Sequence, residues 1–420
     1  MNPLGIPAEA ARGHAVHARR VLILVENLPV PFDRRVWQEA TTLRDAGYTV
    51  SVICPTGKGY ERKVETIDGI DIHRYRLYEA SSVAGYAIEY PVALVCTFAL
   101  ALRVCWRRGF DVIHACNPPD LFFLIGAFFK LFGKKFLFDH HDINPELYAA
   151  KFGAGGFWHG LLLKLEYWTF RTADASIATN ESYRRIALGR GRMPHARVFV
   201  VRSGPSLERM RILPPQESLK RGRRYLVGYV GVMGAQEGID RLLHAVRHVV
   251  VHLGRTDIQF GLVGGGTSLG EMRALAVELG VAEFVTFTGR VADDELLAML
   301  NTADICVNPD LANALNDLST MNKVMEYMAL GKPIVQFDLV EARHSAQEAA
   351  VYARRNDAAD LAVKMVELID DPPRRAAMGE RGRRRVLEEL EWRHEAPKLL
   401  AAYRALWPPP EAPPHEASAA

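Results

Sequence analysis

Asn322, Lys323 and Glu326 lie three and four residues apart in "NDLSTMNKVMEYMALGKPIV", which runs from Asn316 to Val335. Helical spacing puts all three on one side of the first two turns. Taken alone, the stretch reads as an ordinary solvated salt bridge between Lys323 and Glu326, a common and weak contact. Met321, Val324, Met325 and Met328 recur at the spacing of a buried face. Asp317 or Ser319 is placed to cap this helix, and Gly331 with Pro333 ends it before the strand-like "PIVQF".

Other stretches carry residue types that do chemistry. "DHHD", Asp139–Asp142, has metal-ligand residues, and Glu146 follows His141 in "NPE". His141 also fits a structural histidine at a strand end. His244, His248 and His252 are one helical turn apart, but no H-E-x-x-H pattern accompanies them, and a solvated helix face accounts for them. "LVGGG" lacks the G-x-G-x-x-G spacing and the ribose-binding acid of a dinucleotide fold, which argues against a dehydrogenase. Its glycines, Gly264 among them, let backbone approach a nucleotide or simply turn the chain.

The elements that must position these residues alternate along the chain. "RVLILVENLPVPFDRRVWQEATTLRDAGYTVSVICP" reads as a strand (Val21–Val25), a helix (Arg35–Ala46) and a strand (Val50–Cys54). Continuous apolar strands joined through helices mean parallel pairing, hence an α/β layer. The alternation runs on through "DVIHAC", "KKFLFDHHD", "ASIATN" and "RVFVVRSG". It loses its periodicity around Gly204–Arg224, and restarts with "YLVGYVGV". We therefore expect a flexible extension over 1–19, a Rossmann-like domain over 20–203 and a linker over 204–224. A second Rossmann-like domain over 225–390 follows, then a helix over 391–407 packing back on the first domain, and a disordered tail over 408–420. Chemistry in such a pair is expected in the cleft between the halves, at the carboxyl ends of the strands.

Composition narrows the function. With 420 residues and 49% apolar content, two domains are the default. A net charge of +3 gives no support for nucleic-acid binding. Cys54, Cys96, Cys105, Cys116 and Cys306 show no C-x-x-C spacing and read as buried thiols in a reducing compartment. No secretory signal is evident. "PVALVCTFALAL", Pro91–Leu102, is shorter than the ~20 residues of a spanning helix and reads as a buried or membrane-surface helix.

Taken in order, "PVPFDRRVWQEATTLRDAGYTVSVICP", "FDHHDINPELY", "YVGVMGAQEGIDRLL", "LVGGG", "FTGRV" and "STMNKVMEYMALGKPIV" resemble the GT-B glycosyltransferases of family 4. Within that family the chain looks like the branch of bacterial exopolysaccharide and O-antigen assembly. The resemblance covers about Arg20 to Trp407. It implies an α/β, GT-B fold with two Rossmann-like domains facing across a cleft. It also implies transfer of a hexose from a nucleotide-diphosphate sugar donor to a lipid-linked glycan acceptor, with retention of configuration, no metal and no cofactor. The site residues it implies are His141, Glu146 and Asp317 for catalysis. For the donor nucleotide they are Gly231, Gly264, Arg290, Val291, Asn322, Lys323 and Glu326, with Glu326 on the ribose hydroxyls and Lys323 towards the diphosphate. The lysine and the acid would pair in the empty enzyme. A cytoplasmic protein, peripheral on the inner face of the cell membrane, is expected from two apolar runs of the first half that close with basic residues, Arg103, Arg107 and Arg108 in one and Lys130, Lys134 and Lys135 in the other.

The chain departs from that family at three places. Many relatives carry a glutamate where Leu318 stands, and the nearest acid here is Asp317. Their phosphate-binding arginine and lysine are replaced by Val232 and Glu237. Their Gly-Gly loop is replaced by Asp33-Arg34-Arg35, whose Arg34 and Arg35 are either candidate phosphate contacts or charges at a helix start. Two other readings remain on the same fold. One is a nucleotide-sugar epimerase, which needs no acceptor; the other is a silent nucleotide-binding partner subunit.

Overall fold

A computed structural model describes residues 19–77 and 83–407, apart from the side chains of 83–88 and of Ala235. The extension expected over 1–19, except for Arg19, and the tail expected over 408–420 lie outside the described residues. The chain divides into two compact units. One holds the residues up to Asn144, Gly160–Val201 and the residues from Ala396 on; the other holds Pro145–His159 and Arg202–Glu395.

The first unit is built on an eight-stranded sheet in the order β3-β4-β2-β1-β5-β6-β7-β8. Its strands are β1 (Arg20–Leu24), β2 (Thr49–Pro55), β3 (Val64–Ile67), β4 (Ile70–Tyr75), β5 (Val112–Cys116), β6 (Lys135–His140), β7 (Ala175–Ala178) and β8 (Val198–Val200). All neighbours pair in parallel except the hairpin β3–β4. Central strands are covered on both faces, which is why β1 reads "RVLIL" with no alternation and why Val21–Leu24 are buried. The helix Arg34–Asp45 is capped by Asp33, whose carboxylate accepts from Val36 N.

The Pro91–Leu102 run lies within a longer helix than expected, Val83–Arg107, of 25 residues. By length and composition its Glu89–Arg107 stretch could cross a membrane. Ala93, Thr97, Ala101 and Val104 are nonetheless buried at helical spacing against the first unit's core. Val92, Val95, Leu102 and Trp106 are exposed, again at helical spacing.

The second unit carries a parallel six-stranded sheet in the order β11-β10-β9-β12-β13-β14. Its strands are β9 (Tyr225–Val230), β10 (Ile258–Val263), β11 (Val285–Gly289), β12 (Ile305–Asn308), β13 (Ile334–Phe337) and β14 (Ala350–Ala353). The order runs outward in one direction from β9 and in the other from β12, so the connection reverses between them. Ligands of such sheets sit outside the carboxyl ends at that reversal. The aperiodic Gly204–Arg224 stretch is partly structured: Met210 is buried, and Leu207, Leu213 and Leu219 pack on the core beside it.

The helix expected to begin at Asp317 or Ser319 is split. A short helix, Ala314–Leu318, is capped by Asn313, and a second, Asn322–Ala329, follows. Met321 stands at the N-cap of the second and makes no side-chain capping hydrogen bond. Gly331 takes the left-handed conformation (φ +68°) that stops the helix.

Candidate functional site

In the second unit four adjacent strands deliver residues to one edge. Gly231 follows β9, Gly264 follows β10, Arg290 and Val291 follow β11, and Asp310 lies just past β12. The two glycines are required by close packing of backbone. Gly264 has φ +139°, and a Cβ there would stand 1.8 Å from the Gly231 carbonyl oxygen. A Cβ on Gly231 would stand 2.5 Å from Tyr229 Oη and 3.4 Å from Lys323 Nζ. The bare backbone of two strand ends thus comes up beside the lysine. Arg290 is exposed, and Val291 packs against the core.

Lys323 does not pair with Glu326. Its Nζ donates to Asp310 Oδ1 at 2.7 Å and to Glu237 Oε2 at 2.8 Å, and lies 5.0 Å from the centre of the Tyr229 ring. Asp310 is 1% exposed, and a buried carboxylate without a cation costs several kcal/mol. That demand outweighs a weak contact along the helix surface. Burial pushes the Asp310 carboxyl up to about 7, against the pull of Lys323 and with help from Glu237. Burial also opposes the charge on Lys323, but Asp310, Tyr229 and Glu237 hold its ammonium well above the usual lysine range.

Glu326 pairs instead with Arg209. Arg209 Nη1 donates to Glu326 Oε1 at 2.7 Å, and its Nε donates to Asp293 Oδ2 at 2.7 Å. Burial works against the guanidinium charge, while Asp293 and Glu326 raise its pKa. Asn322 is exposed at the helix start. Asp317 faces elsewhere: its carboxylate meets Arg355 and accepts from Val340 N at 3.2 Å. A recess of about 300 Å³ opens at the opposite edge of this sheet, beside Asp304 and Lys332. Lys332 Nζ is engaged there by the carbonyls of Asn301 (2.6 Å) and Ala303 (2.9 Å).

The first unit gathers a buried ionic group at the ends of β5 and β6. Arg35 holds Asp139 through Nε (3.2 Å) and Nη2 (2.9 Å), contacts Glu39 at 3.1 Å, and donates from Nη1 to Val201 O at 2.8 Å. Arg35 is therefore a buried cation in the first turn of its helix rather than a surface charge there, while Arg34 is exposed. His141 Nε2 makes a short contact with Asp139 Oδ2 and lies 2.8 Å from Arg35 Nε. His114 Nε2 lies 3.4 Å from the same carboxylate oxygen, and its Nδ1 meets Tyr403 Oη at 2.8 Å. Burial opposes the charge of Asp139, but Arg35 and His141 hold its carboxyl well below the usual range. Glu39 goes the other way: burial and the Asp139 charge raise it well above, against Arg35. Burial likewise lowers the pKa of His114.

Glu39, Cys116, Asp139 and His141 offer ligand atoms within 4.8 Å of one another. The Arg35 guanidinium stands among them and supplies the positive charge, so a metal ion would have to displace it. Glu146 falls in the first turn of the helix Asn144–Phe152 and is half-buried.

Several of these contacts escaped sequence reasoning. Asp139 and His141 are two apart at a strand end and share a face by strand periodicity, a signal that was available. Asp310 sits in "NPD" at a strand end, the usual place for site residues. Arg209 lies in an aperiodic stretch that gave no signal.

Residues 33–204 match the family described as "Glycosyl transferase 4-like domain", and residues 224–371 that described as "Glycosyl transferases group 1". An MMP alpha-(1->4)-mannosyltransferase of Mycolicibacterium hassiacum is 28% identical over 46% of this chain and 45% of its own length. The chain thus spans about half of that relative. The sucrose-phosphate synthase of Thermosynechococcus elongatus superposes with a TM-score of 0.72 over 92% of this chain and 99% of its own, at 18% identity. Anabaena Alr3699/HepE in complex with UDP and glucose gives 0.70 over 91% and 99%, at 13% identity. At such identities the likeness speaks to the fold alone.

Proposed function

We infer that the chain is a GT-B glycosyltransferase of family 4, transferring a hexose from a nucleotide-diphosphate sugar to a lipid-linked glycan acceptor in bacterial surface-polysaccharide assembly. One observation carries this reading. The backbone of Gly231 and Gly264, the ammonium of Lys323, the start of the helix Asn322–Ala329 and the carboxylate of Glu326 occur together where four parallel strands end. That combination offers N–H groups and a cation to a diphosphate, and an acid to a ribose.

Glu326 takes the two ribose hydroxyls, sharing its carboxylate with Arg209 or releasing it. Lys323 and the first-turn N–H groups meet the diphosphate, where negative charge develops as the sugar leaves. No metal enters this scheme. In the first unit His141, held by Asp139, serves the transfer step rather than nucleotide binding. Configuration at the anomeric carbon is retained, as the family resemblance implies.

The acceptor reading draws support from the first unit's surface. Trp106 is 85% exposed, and Val92, Val95 and Leu102 share its helix, with Arg103 and Arg107 exposed beside them. Phe98 of that helix meets Phe128 edge-on at 5.0 Å, and Phe128 meets Phe132, which is exposed like Leu131. Apolar groups ringed by arginines suit the headgroup region of an anionic membrane. The protein then works from the cytoplasmic side, attached without spanning.

A second reading, a nucleotide-binding subunit without turnover, is favoured by one feature. Two carboxylates, Glu237 and Asp310, already neutralise Lys323. Incubation with a panel of nucleotide sugars and a membrane-lipid extract separates the readings. Acceptor-dependent release of nucleoside diphosphate supports transfer, and binding without release supports the subunit.

A further inference from the structure

We infer that Asp139 is a positioning residue for His141: it takes the ring's Nε2–H, so that Nδ1 is the nitrogen His141 presents to a bound sugar. The inference rests on the reading of the chain as a glycosyltransferase.

His141 Nε2 and Asp139 Oδ2 are in short contact, too close for two lone pairs with no proton between them. The proton belongs to the ring. Both oxygens of Asp139 are held by Arg35, at 3.2 and 2.9 Å, which keeps the carboxylate ionised.

One contact points the other way. Arg35 Nε stands 2.8 Å from His141 Nε2, and alone it would favour an Nε2 that accepts. In that arrangement Asp139 Oδ2 would face a ring lone pair at short range. Arg35 Nε–H, by contrast, has another acceptor, Asp139 Oδ2 at 3.2 Å. Only the Nε2–H tautomer leaves no acceptor facing an acceptor.

The main chain fixes the same orientation. His141 N donates to Asn117 Oδ1 at 2.7 Å, and Asn117 Nδ2 donates to Asp120 Oδ1 (3.0 Å) and to Asp142 O (2.7 Å). Asp139 and Glu39 are fully buried and Arg35 nearly so, whereas the His141 side chain keeps 12% of its surface. Nε2 lies against that buried group. The nitrogen left for a ligand is Nδ1.

The tautomer can be read on the free protein by NMR after labelling with ¹⁵N-histidine, with His141→Gln identifying the signal by its loss. The expected state of the neutral ring is Nε2–H with Nδ1 bare. In Asp139→Asn the amide oxygen turns to Arg35 and the amide N–H to the ring, so the neutral ring switches to Nδ1–H. With the donor sugar and acceptor, kcat of that variant falls by at least ~100-fold while nucleotide affinity holds within about twofold. A purely structural role for Asp139 would move the melting temperature and leave the tautomer unchanged.

An Nδ1–H ring in the wild type, or wild-type kcat in Asp139→Asn, overturns the inference. Should Asp139→Asn fail to fold, the wild-type tautomer decides alone. If the ring is Nε2–H but no donor and acceptor pair supports transfer, the glycosyltransferase reading fails and the positioning of His141 by Asp139 stands.

Discussion

Arg209 and Glu326 form a 2.7 Å ion pair although they lie 117 positions apart in the chain. The arginine comes from the aperiodic stretch before β9, within the second unit, and the acid from the helix that carries Lys323. The acid and the lysine of one helix face therefore have separate partners and, with them, separate burdens.

Glu326 is a binding residue. In Glu326→Ala, Arg209 keeps Asp293 at 2.7 Å, so no buried charge is stranded. Stability should change by less than about 1 kcal/mol. Nucleotide affinity should fall at least ~10-fold through the loss of charge-assisted bonds to ribose. Calorimetric titration of the variant with the nucleotide bound by the wild type, alongside urea unfolding, checks both. A large loss of stability at normal affinity would reverse the assignment.

Lys323 should behave in the opposite sense. Its removal leaves Asp310 buried beside Glu237 with no cation. Lys323→Ala should cost about 3–5 kcal/mol in chemical denaturation, in addition to its effect on binding. Lys323→Ala with Asp310→Asn should regain part of that stability. A fully stable single variant would mean that the pair is dispensable to the fold.

Glu26, just past β1, gives a pH dependence with a definite sign. It is buried, and burial with the nearby Glu89 charge raises its carboxyl from 4.5 to about 8. The folded chain thus holds a proton that the unfolded chain releases above about 4.5. Stability from this group is complete below that value and is lost as pH rises through about 8, at about 1.4 kcal/mol for each pH step between the two values. Wild type should lose stability between about pH 5 and 8, and Glu26→Gln should flatten that decline. An equal decline in the variant would assign it to other groups.

Much of the fold was legible in the residues. Unbroken apolar runs such as "RVLIL" and "YLVGYV" are what a strand covered on both faces requires, and each stands as a parallel strand. Local signals failed where a tertiary contact decided. Asp317 and Ser319 are good capping residues, but the chain breaks between Leu318 and Asn322, and Asn313 does the capping of the first piece. Lys323 had Glu326 at helical spacing, yet its partners come from loops at residues 237 and 310. No window of neighbouring sequence contains those contacts. The length of the Val83–Arg107 helix was hidden because Pro91 lies inside it.

The exposed face of that helix should bind membranes. Wild type should sediment with vesicles containing anionic lipid at low salt and be released at high salt. Trp106→Glu combined with Val95→Glu should reduce binding by ~10-fold or more, since each apolar group loses its transfer free energy. Equal sedimentation of variant and wild type would remove this face from the account.

The most direct test of the central claim follows the sugar itself. The wild type is incubated with a nucleotide-sugar panel, with and without a bacterial lipid extract, and the products are resolved by mass spectrometry and by anomeric NMR. Nucleoside diphosphate is expected only with the extract, the sugar on a lipid-linked glycan with its anomeric configuration retained, and neither with Glu326→Ala. An isomerised nucleotide sugar formed without any acceptor, or tight nucleotide binding with no turnover under any condition, would contradict that claim.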